Sequence, residues 1–120
     1  MVVDSQKSTA ALLHKLFPED EIVLVARADQ AVEQANLRTP DCVVLELGLA
    51  RHSGLEFLYE FRTYPDWQAI PCIVLTNVEL EPDVLRSRSW QQLNVAAYAY
   101  KSDTSHKTLQ QLIEQQRAPL

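Results

Sequence analysis

Glycine and cysteine are scarce in this chain, with two residues of each among 120. Two cysteines cannot build a disulfide scaffold, and their scarcity favours a cytoplasmic protein. Because no glycine-rich turn is present, the sequence lacks a phosphate-binding loop of the nucleotide-binding kind. It also lacks a zinc ligand set and a Ser-His-Asp arrangement, so we do not expect an enzyme.

Positive charge is also in short supply. The chain has 11 Lys and Arg residues against 16 Asp and Glu residues, which gives a net charge of -5. A surface that binds nucleic acid needs a basic face, so we expect no direct contact with nucleic acid. No apolar run approaches the roughly 20 residues that a bilayer-spanning helix needs, so we expect no membrane partner either.

Apolar residues, in contrast, are plentiful. They make up 47% of the chain, enough for one globular domain with a substantial core. We expect this domain to span residues 1–117, followed by a tail of residues 118–120.

The central stretch of the sequence is an apolar run that ends in a carboxylate. Cys42 to Leu45 lie between Pro40 and Gly48 without polar alternation, and Glu46 follows them. Such a run is typical of a strand buried on both faces, as in parallel sheets. Because an unpaired charge inside a strand is costly, Glu46 is predicted at the strand's carboxyl end, where ligand crevices form in open sheets.

Apolar strands and amphipathic helices alternate five times along the chain. Right-handed crossovers between buried strands predict a three-layer α/β/α sandwich around a parallel sheet. The helix starts are predicted at Asp29, at a capping box formed by Ser53 and Glu56, and at Asp103 or Thr104. A further helix is predicted from residue 82 to about residue 93.

Four of the predicted strands end in a polar side chain: Asp4, Glu46, Thr76 and Lys101. The carboxyl ends of parallel strands meet at one edge of a sheet, so two carboxylates, a hydroxyl and an ammonium are expected to converge there. Strand ends are often polar because they meet solvent. Four such ends together favour a binding site or the relic of one.

The sequence resembles the receiver domain of two-component response regulators over nearly its whole length. The spacing of Glu46, Gly54 and Thr76 is that of the family. The resemblance implies a (βα)5 flavodoxin-like fold with strand order 2-1-3-4-5, phosphate transfer from a histidine kinase to an aspartate, and Mg²⁺ held by an acidic pair. It rests on these segments: Val2-Val3-Asp4-Ser5, Val44-Leu45-Glu46-Leu47, Gly54-Leu55-Glu56-Phe57-Leu58, Ile70-Pro71-Cys72-Ile73-Val74-Leu75-Thr76 and Tyr98-Ala99-Tyr100-Lys101.

The resemblance implies a phosphorylation and metal site. Glu46 falls on the phospho-acceptor aspartate, and Asp4 falls on the first acid of the metal-binding pair. Gly48 falls where a backbone carbonyl reaches the metal, and Glu46 would be the remaining ligand. Ser5 replaces the second acid of the pair, which removes a strong Mg²⁺ ligand.

The resemblance also implies a switch. Thr76 matches the hydroxyl that binds the phosphoryl group, Lys101 matches the lysine that pairs with the acceptor, and Tyr98 matches the aromatic residue that swings inward. Asn77 replaces the small residue that leaves room for phosphate, and Ser102 replaces the proline that follows the lysine.

Two functional interpretations follow. Glu46 is one methylene longer than aspartate, and a misplacement of ~1 Å can cost roughly a hundredfold in rate. In the first interpretation the chain is a pseudo-receiver without a cofactor, in which a standing Glu46–Lys101 ion pair fixes one state. It then acts through protein contacts in signal transduction or transcriptional control. In the second, it is a receiver that still accepts phosphate from a histidine kinase in a Mg²⁺-dependent reaction.

Three weaker signals concern partners and packing. Trp90 and Tyr98 lie in the last helix-strand-helix section, which in the family carries homodimer and effector contacts, although Trp90 could instead fill the core. Trp67 is predicted at the surface, and His52 in a loop where it could sense pH or touch a partner.

The two cysteines lie four residues before Glu46 and Thr76, on strands expected to be neighbours. We expect Cys42 and Cys72 on the same face of the sheet, about 5 Å apart, as buried thiols rather than a disulfide.

Overall fold

The computed structural model describes residues 1–49 and 53–117. The predicted loop residue His52 and the tail 118–120 lie outside these residues. Five parallel strands form one sheet in the order β2-β1-β3-β4-β5, which confirms the predicted order 2-1-3-4-5. The strands are β1 (Val2–Val3), β2 (Leu24–Val25), β3 (Val43–Leu45), β4 (Cys72–Thr76) and β5 (Ala97–Tyr100).

Helices connect the strands and cover both faces of the sheet, so the predicted three-layer sandwich is confirmed. The α-helices are α1 (Lys7–Leu16), α2 (Ala28–Leu37), α3 (Gly54–Thr63), α4 (Pro82–Leu85), α5 (Arg88–Gln92) and α6 (His106–Arg117). Two short 3-10 helices follow α3 and β5, at Pro65–Trp67 and Lys101–Asp103.

The core has two parts because successive residues of a strand point to opposite faces of the sheet. On one face, Val2, Val44 and Ile73 pack against Leu13 of α1 and Leu109 of α6. On the other face a larger cluster joins the sheet to α2, α3 and α5, and it contains Val3, Leu45, Val74, Ala31, Phe57, Phe61 and Trp90. Burial of these side chains provides the main driving force for the fold.

The single helix predicted from residue 82 to about residue 93 was wrong. The structure has two short helices, α4 and α5, with Ser87 between them. The Ser87 hydroxyl donates to the Val84 carbonyl at 2.6 Å and accepts from the Trp90 N–H at 3.2 Å. Its side chain thus closes one helix and caps the next, in the manner by which serine competes with helix continuation.

Two of the three predicted helix caps were also wrong. Helix α2 begins one residue before Asp29, which lies in its first turn and pairs with Arg27 at 3.0 Å. The last helix is capped by Ser105, whose hydroxyl accepts from the Thr108 N–H at 3.1 Å, and not by Asp103 or Thr104. In contrast, the Ser53 cap of α3 is confirmed by a hydrogen bond of 3.1 Å from the Glu56 N–H.

Gly54 brings the start of α3 directly against the end of β3. Its N–H donates to the Leu47 carbonyl at 2.9 Å. A Cβ atom built on Gly54 would lie 2.8 Å from Leu47 Cα and closer still to the Glu46 carbonyl oxygen. Only a residue without a side chain permits this approach, and the approach fixes the backbone next to Glu46.

Arg62 ties two loops to α3. Its guanidinium donates to three carbonyls in the connection after α3, at distances of 2.8 to 3.2 Å, and to two carbonyls after α5, at 2.9 and 3.1 Å. The acceptors are Trp67, Gln68, Ile70, Leu93 and Asn94. The prediction of a surface Trp67 was wrong: its indole is buried in the core and stacks on Phe61, with ring centroids 5.0 Å apart.

The expectation that both cysteines share a face of the sheet was wrong as well. Cys72 pairs in register with Val43, so Cys42 is offset from it by one residue. A one-residue offset reverses the face to which a side chain points, and the two thiols pack in different core clusters. Both cysteines are free thiols, and burial raises the pKa of Cys72 to about 12.

Among the helices of residues 1–49 and 53–117, none combines the length and the apolar character needed to cross a bilayer.

Candidate functional site

Four polar side chains meet at the carboxyl edge of the sheet, as the sequence predicts. Asp4 follows β1, Glu46 follows β3, Thr76 ends β4, and Lys101 follows β5. Asp4, Glu46 and Thr76 are all at most 5% exposed. The ladder continues past β3, because the Glu46 N–H donates to the Val3 carbonyl at 2.9 Å. Glu46 is therefore held by backbone pairing and by its side chain.

Both carboxylate oxygens of Glu46 accept two hydrogen bonds or ionic contacts. Oε1 lies 3.1 Å from Lys101 Nζ and accepts from the Asn77 N–H at 3.0 Å. Oε2 accepts from the Gly48 N–H at 2.9 Å and from the Thr76 hydroxyl. The predicted contact between Glu46 and Lys101, with Thr76 beside them, is present. The charge is buried but fully satisfied, which removes most of the penalty for burying it.

Lys101 also binds the second carboxylate of the site. Its Nζ lies 2.8 Å from Asp4 Oδ2 and 3.3 Å from Gln6 Oε1. Asp4 Oδ2 accepts in addition from the Thr9 hydroxyl at 2.7 Å, and Asp4 Oδ1 accepts from the Gln6 N–H at 2.8 Å. The ammonium therefore joins the ends of β1 and β3 through their two carboxylates.

The environment of Glu46 favours its charged form. Burial acts to raise the pKa of the Glu46 carboxyl, but hydrogen bonds from Gly48, Thr76, Asn77 and Lys101 together outweigh it and hold the pKa below its ordinary value. The carboxylate is therefore ionised at neutral pH and presents two charged oxygens to the pocket.

The pH dependence of stability tests this charge. Since the pKa of Glu46 is lower in the folded state than the unfolded value of about 4.3, its contribution is complete at pH values above 4.3 and is lost as the pH falls through the folded pKa. We expect Glu46→Gln to lower the free energy of unfolding by about 2 kcal/mol at pH 7. Urea unfolding of both proteins should show this difference shrinking by pH 3, whereas a constant difference would contradict it.

A hydrogen-bond network runs from Glu46 to the loop between β4 and α4. The Thr76 hydroxyl, which donates to Glu46, accepts from the Val78 N–H at 2.9 Å. Tyr98 binds the same loop: its hydroxyl donates to the Val78 carbonyl at 3.1 Å and accepts from the Leu80 N–H at 2.9 Å. Tyr98 and Thr76 thus contact the same residue, Val78, and the role of Tyr98 as a switch stays a prediction.

The sequence did not reveal two backbone donors of the site or the side chains that bind Asp4. The N–H groups of Gly48 and Asn77 follow from the turns after β3 and β4, which side-chain patterns do not reveal. Gln6 and Thr9 lie at the start of α1 and bind Asp4. The sequence signal for Thr9 is its position: a threonine in the first turn of the helix that follows an acidic strand end.

These residues do not fit a divalent cation. Mg²⁺ needs several oxygen ligands in octahedral geometry, yet every oxygen of Asp4 and Glu46 already accepts from a donor, and the Lys101 ammonium bridges the two groups. Ser5, at the position of the missing acid, is exposed. In the part of the chain that the structure describes, no group of three or more His, Cys, Asp or Glu residues is arranged for a metal.

The aromatic residues of the last helix-strand-helix section pack together. Trp90 is buried and meets Tyr98 edge to face, with ring centroids 6.4 Å apart. This position favours the interpretation that Trp90 fills the core. It also places the Trp90 ring against that of Tyr98.

The fold and the site define a doubly wound α/β domain with an acidic site at a topological switch point of the sheet. The chain belongs to the response regulator receiver domain family, whose family model matches residues 1–96. Receivers of this family are modules of two-component signalling. The resemblance drawn from the sequence is therefore confirmed at the level of the family.

Relatives support the same assignment. The chain is 32% identical to response regulator Rcp1 of Synechocystis sp. over 102 residues, which cover 84% of this chain and 67% of Rcp1. The solved Mn²⁺-bound form of Rcp1 superposes with a TM-score of 0.76 at 24% identity, over 94% of this chain and 88% of that one. The phosphorylated cyanobacterial phytochrome response regulator RcpA gives a TM-score of 0.76 at 27% identity, over 95% and 89% of the two chains.

Proposed function

We propose that this domain is a pseudo-receiver, which signals through protein contacts without being phosphorylated. The observation that carries the proposal is the placement of the Glu46 carboxylate against Thr76 and Lys101 at the same time. In receivers these two side chains bind the phosphoryl group on the acceptor. The longer glutamate puts its own charge where a phosphoryl oxygen would otherwise lie.

The Lys101 ammonium acts as a permanent cation between the two carboxylates of the site. It lies between two carboxylates that would otherwise repel each other, at 2.8 Å from Asp4 and 3.1 Å from Glu46. A fixed ammonium at this position makes a divalent cation unnecessary for folding the site, and it competes with one for the same oxygens. This supports a domain that works without Mg²⁺.

Hydrogen bonds couple the loop between β4 and α4 to the Glu46 site. The Thr76 hydroxyl donates to Glu46 and accepts from the Val78 N–H. The Tyr98 hydroxyl donates to the Val78 carbonyl. In this proposal the loop between β4 and α4 stays in one conformation, which a partner or effector domain reads. A cytoplasmic location and a role in transcription remain predictions. So do a homodimer through the last helix-strand-helix section and the lack of contact with nucleic acid.

The second candidate is a receiver that is still phosphorylated by a histidine kinase. It is favoured by the retained Asp4, Thr76 and Lys101 and by the similarity to RcpA, which was solved in its phosphorylated form. Phosphate on Glu46 would require Thr76 and Lys101 to release the carboxylate. Metal would require Lys101 to leave Asp4 as well.

Intact mass after incubation with acetyl phosphate and Mg²⁺ separates the two candidates. We expect no phosphoryl adduct on the native protein, because the Glu46 oxygens are engaged and the second metal acid is absent. The double variant Ser5→Asp with Glu46→Asp restores the acidic pair and the shorter acceptor, and we expect it to gain one phosphoryl group.

The matched control is Ser5→Asp with Glu46→Asn, which has the acidic pair but no acceptor. An adduct on this control would indicate modification elsewhere on the chain. One phosphoryl group on the native protein, lost in Glu46→Gln, would overturn the pseudo-receiver proposal in favour of the second candidate.

A further inference from the structure

A cavity lies at the amino-terminal ends of the strands, on the side of the sheet opposite to the edge that carries Glu46. It has a volume of about 310 Å³ and opens between the amino-terminal ends of β1 and β3. This volume is at the lower end of the range for small-molecule sites. Its apolar wall comes from α1 and the connection that follows it, from β3 and from α6: Leu13, Phe17, Ile22, Val44 and Ile113.

The polar wall of this cavity is dominated by carboxylates. Glu19, Asp20, Glu21 and Asp41 line it, against the guanidiniums of Arg38 and Arg117 and the ammonium of Met1. That ammonium donates to the Cys42 carbonyl at 2.9 Å, and the four carboxylates outnumber the three cationic groups. The wall therefore carries a net negative charge.

The helices add to this negative potential. Gln34 and Arg38, Leu13 and Phe17, and Ile113 and Arg117 bring the carboxyl-terminal ends of α2, α1 and α6 to the cavity. Each helix end carries a partial negative charge from carbonyls without a helical partner, and only α1 and α6 have basic residues in the last turn. The end of α2, which has no basic residue in its last turn, therefore favours a cation.

Both arginines that line the cavity already form ion pairs. Arg117 forms a bidentate pair with Asp20, one of its contacts being 2.6 Å, and lies 5.7 Å from the centre of the Phe17 ring. Arg38 pairs with Glu21. Among the residues that the structure describes, Glu19 and Asp41 have no ion-pair partner, so the charge available to a ligand is negative.

We propose that this cavity is a binding site for a small organic cation with an apolar body, such as a primary amine on an aromatic or branched aliphatic group. The apolar wall accepts the body of the ligand, and the ammonium faces Asp41 and Glu19. An anion of the same size would meet uncompensated carboxylates and the carboxyl end of α2, and is rejected.

The test uses phenethylammonium as the probe, with phenethyl alcohol and hydrocinnamate as neutral and anionic analogues of similar size. Amide chemical shifts are followed by NMR during each titration. We expect phenethylammonium to shift the amides of Leu13, Cys42 and Ile113 and to leave those of Gly48 and Asn77 unchanged. It should bind about fivefold more tightly than the alcohol, the size of effect that a partly exposed charge pair gives.

Charge variants assign the cation preference. Asp41→Asn with Glu19→Gln should remove the advantage of the cation over the alcohol, whereas Glu60→Gln should keep it, because Glu60 is exposed on α3 at the other face of the sheet. Equal or tighter binding of hydrocinnamate would overturn the proposal. So would the absence of shifts up to about 10 mM probe, the weak limit for a ligand with so few atoms.

The two thiols give an independent readout of occupancy. Cys42 lines the cavity and is half-buried, whereas Cys72 lies in the other core cluster with a pKa of about 12. Bound phenethylammonium should slow the reaction of Cys42 with N-ethylmaleimide and leave that of Cys72 unchanged. An equal effect on both thiols would indicate general stabilisation of the fold and would overturn the assignment to this cavity.

Discussion

Gly54→Ala is expected to lower the free energy of unfolding by about 3 kcal/mol, a large effect for the addition of one methyl group. The new Cβ would lie 2.8 Å from Leu47 Cα and nearer still to the Glu46 carbonyl oxygen, and both are backbone atoms that cannot rotate away. Helix α3 must therefore move away from β3, which breaks the 2.9 Å bond from the Gly54 N–H to Leu47. Urea unfolding measures the loss.

Gly48→Ala is the matched control for this substitution. A Cβ on Gly48 would lie 3.5 Å from Val78 Cγ2 and 3.7 Å from Glu46 Oε2, which are ordinary contact distances, and its φ is not positive. We expect a change within about 0.5 kcal/mol, as for substitutions outside the core. Equal losses for the two alanines would contradict the explanation by the close approach of α3.

Arg62→Met is expected to cost about 3 kcal/mol and to lower Tm by about 10 °C. The substitution keeps most of the apolar stem but removes donors to five backbone carbonyls, in the connections after α3 and after α5. A carbonyl that loses its donor at a partly buried position retains its desolvation penalty. Thermal unfolding followed by circular dichroism measures the shift.

Two further variants serve as controls for Arg62→Met. Arg62→Lys keeps the charge but has a single nitrogen that cannot reach both loops, so we expect most of the loss to remain. Arg86→Ala removes an exposed arginine whose 2.8 Å pair with Asp83 lies in solvent, and should change stability by less than about 1 kcal/mol. If Arg62→Lys retained full stability, charge and not the arrangement of donors would be the stabilising factor.

The sequence contained enough information for the sheet and for the centre of the site. Unbroken apolar runs mark buried parallel strands, and the carboxyl ends of such strands meet at one edge whatever the loop lengths. The contact between Glu46 and Lys101 follows from this rule together with the extra methylene of the glutamate.

The features that the sequence did not predict depend on the paths of loops and on strand register. The five carbonyls around Arg62 come from two connections, and no residue pattern reports where a carbonyl points. The break between α4 and α5 depends on whether the Ser87 hydroxyl bonds to Val84 or faces solvent. The relation of Cys42 to Cys72 depends on register, where an error of one residue reverses the face of the sheet.

The order of the strands has a consequence for how the chain folds as it is synthesised. β1 is synthesised before the other strands but lies between β2 and β3 in the sheet. The backbone of Val2 and Val3 is therefore fully hydrogen-bonded only after Leu45 has left the ribosome. Its apolar face stays open longer still, because the cover over Val2 and Val44 includes Leu109 of α6. The nascent domain therefore carries exposed apolar surface until its last helix is released, and that interval is when chaperones would find it.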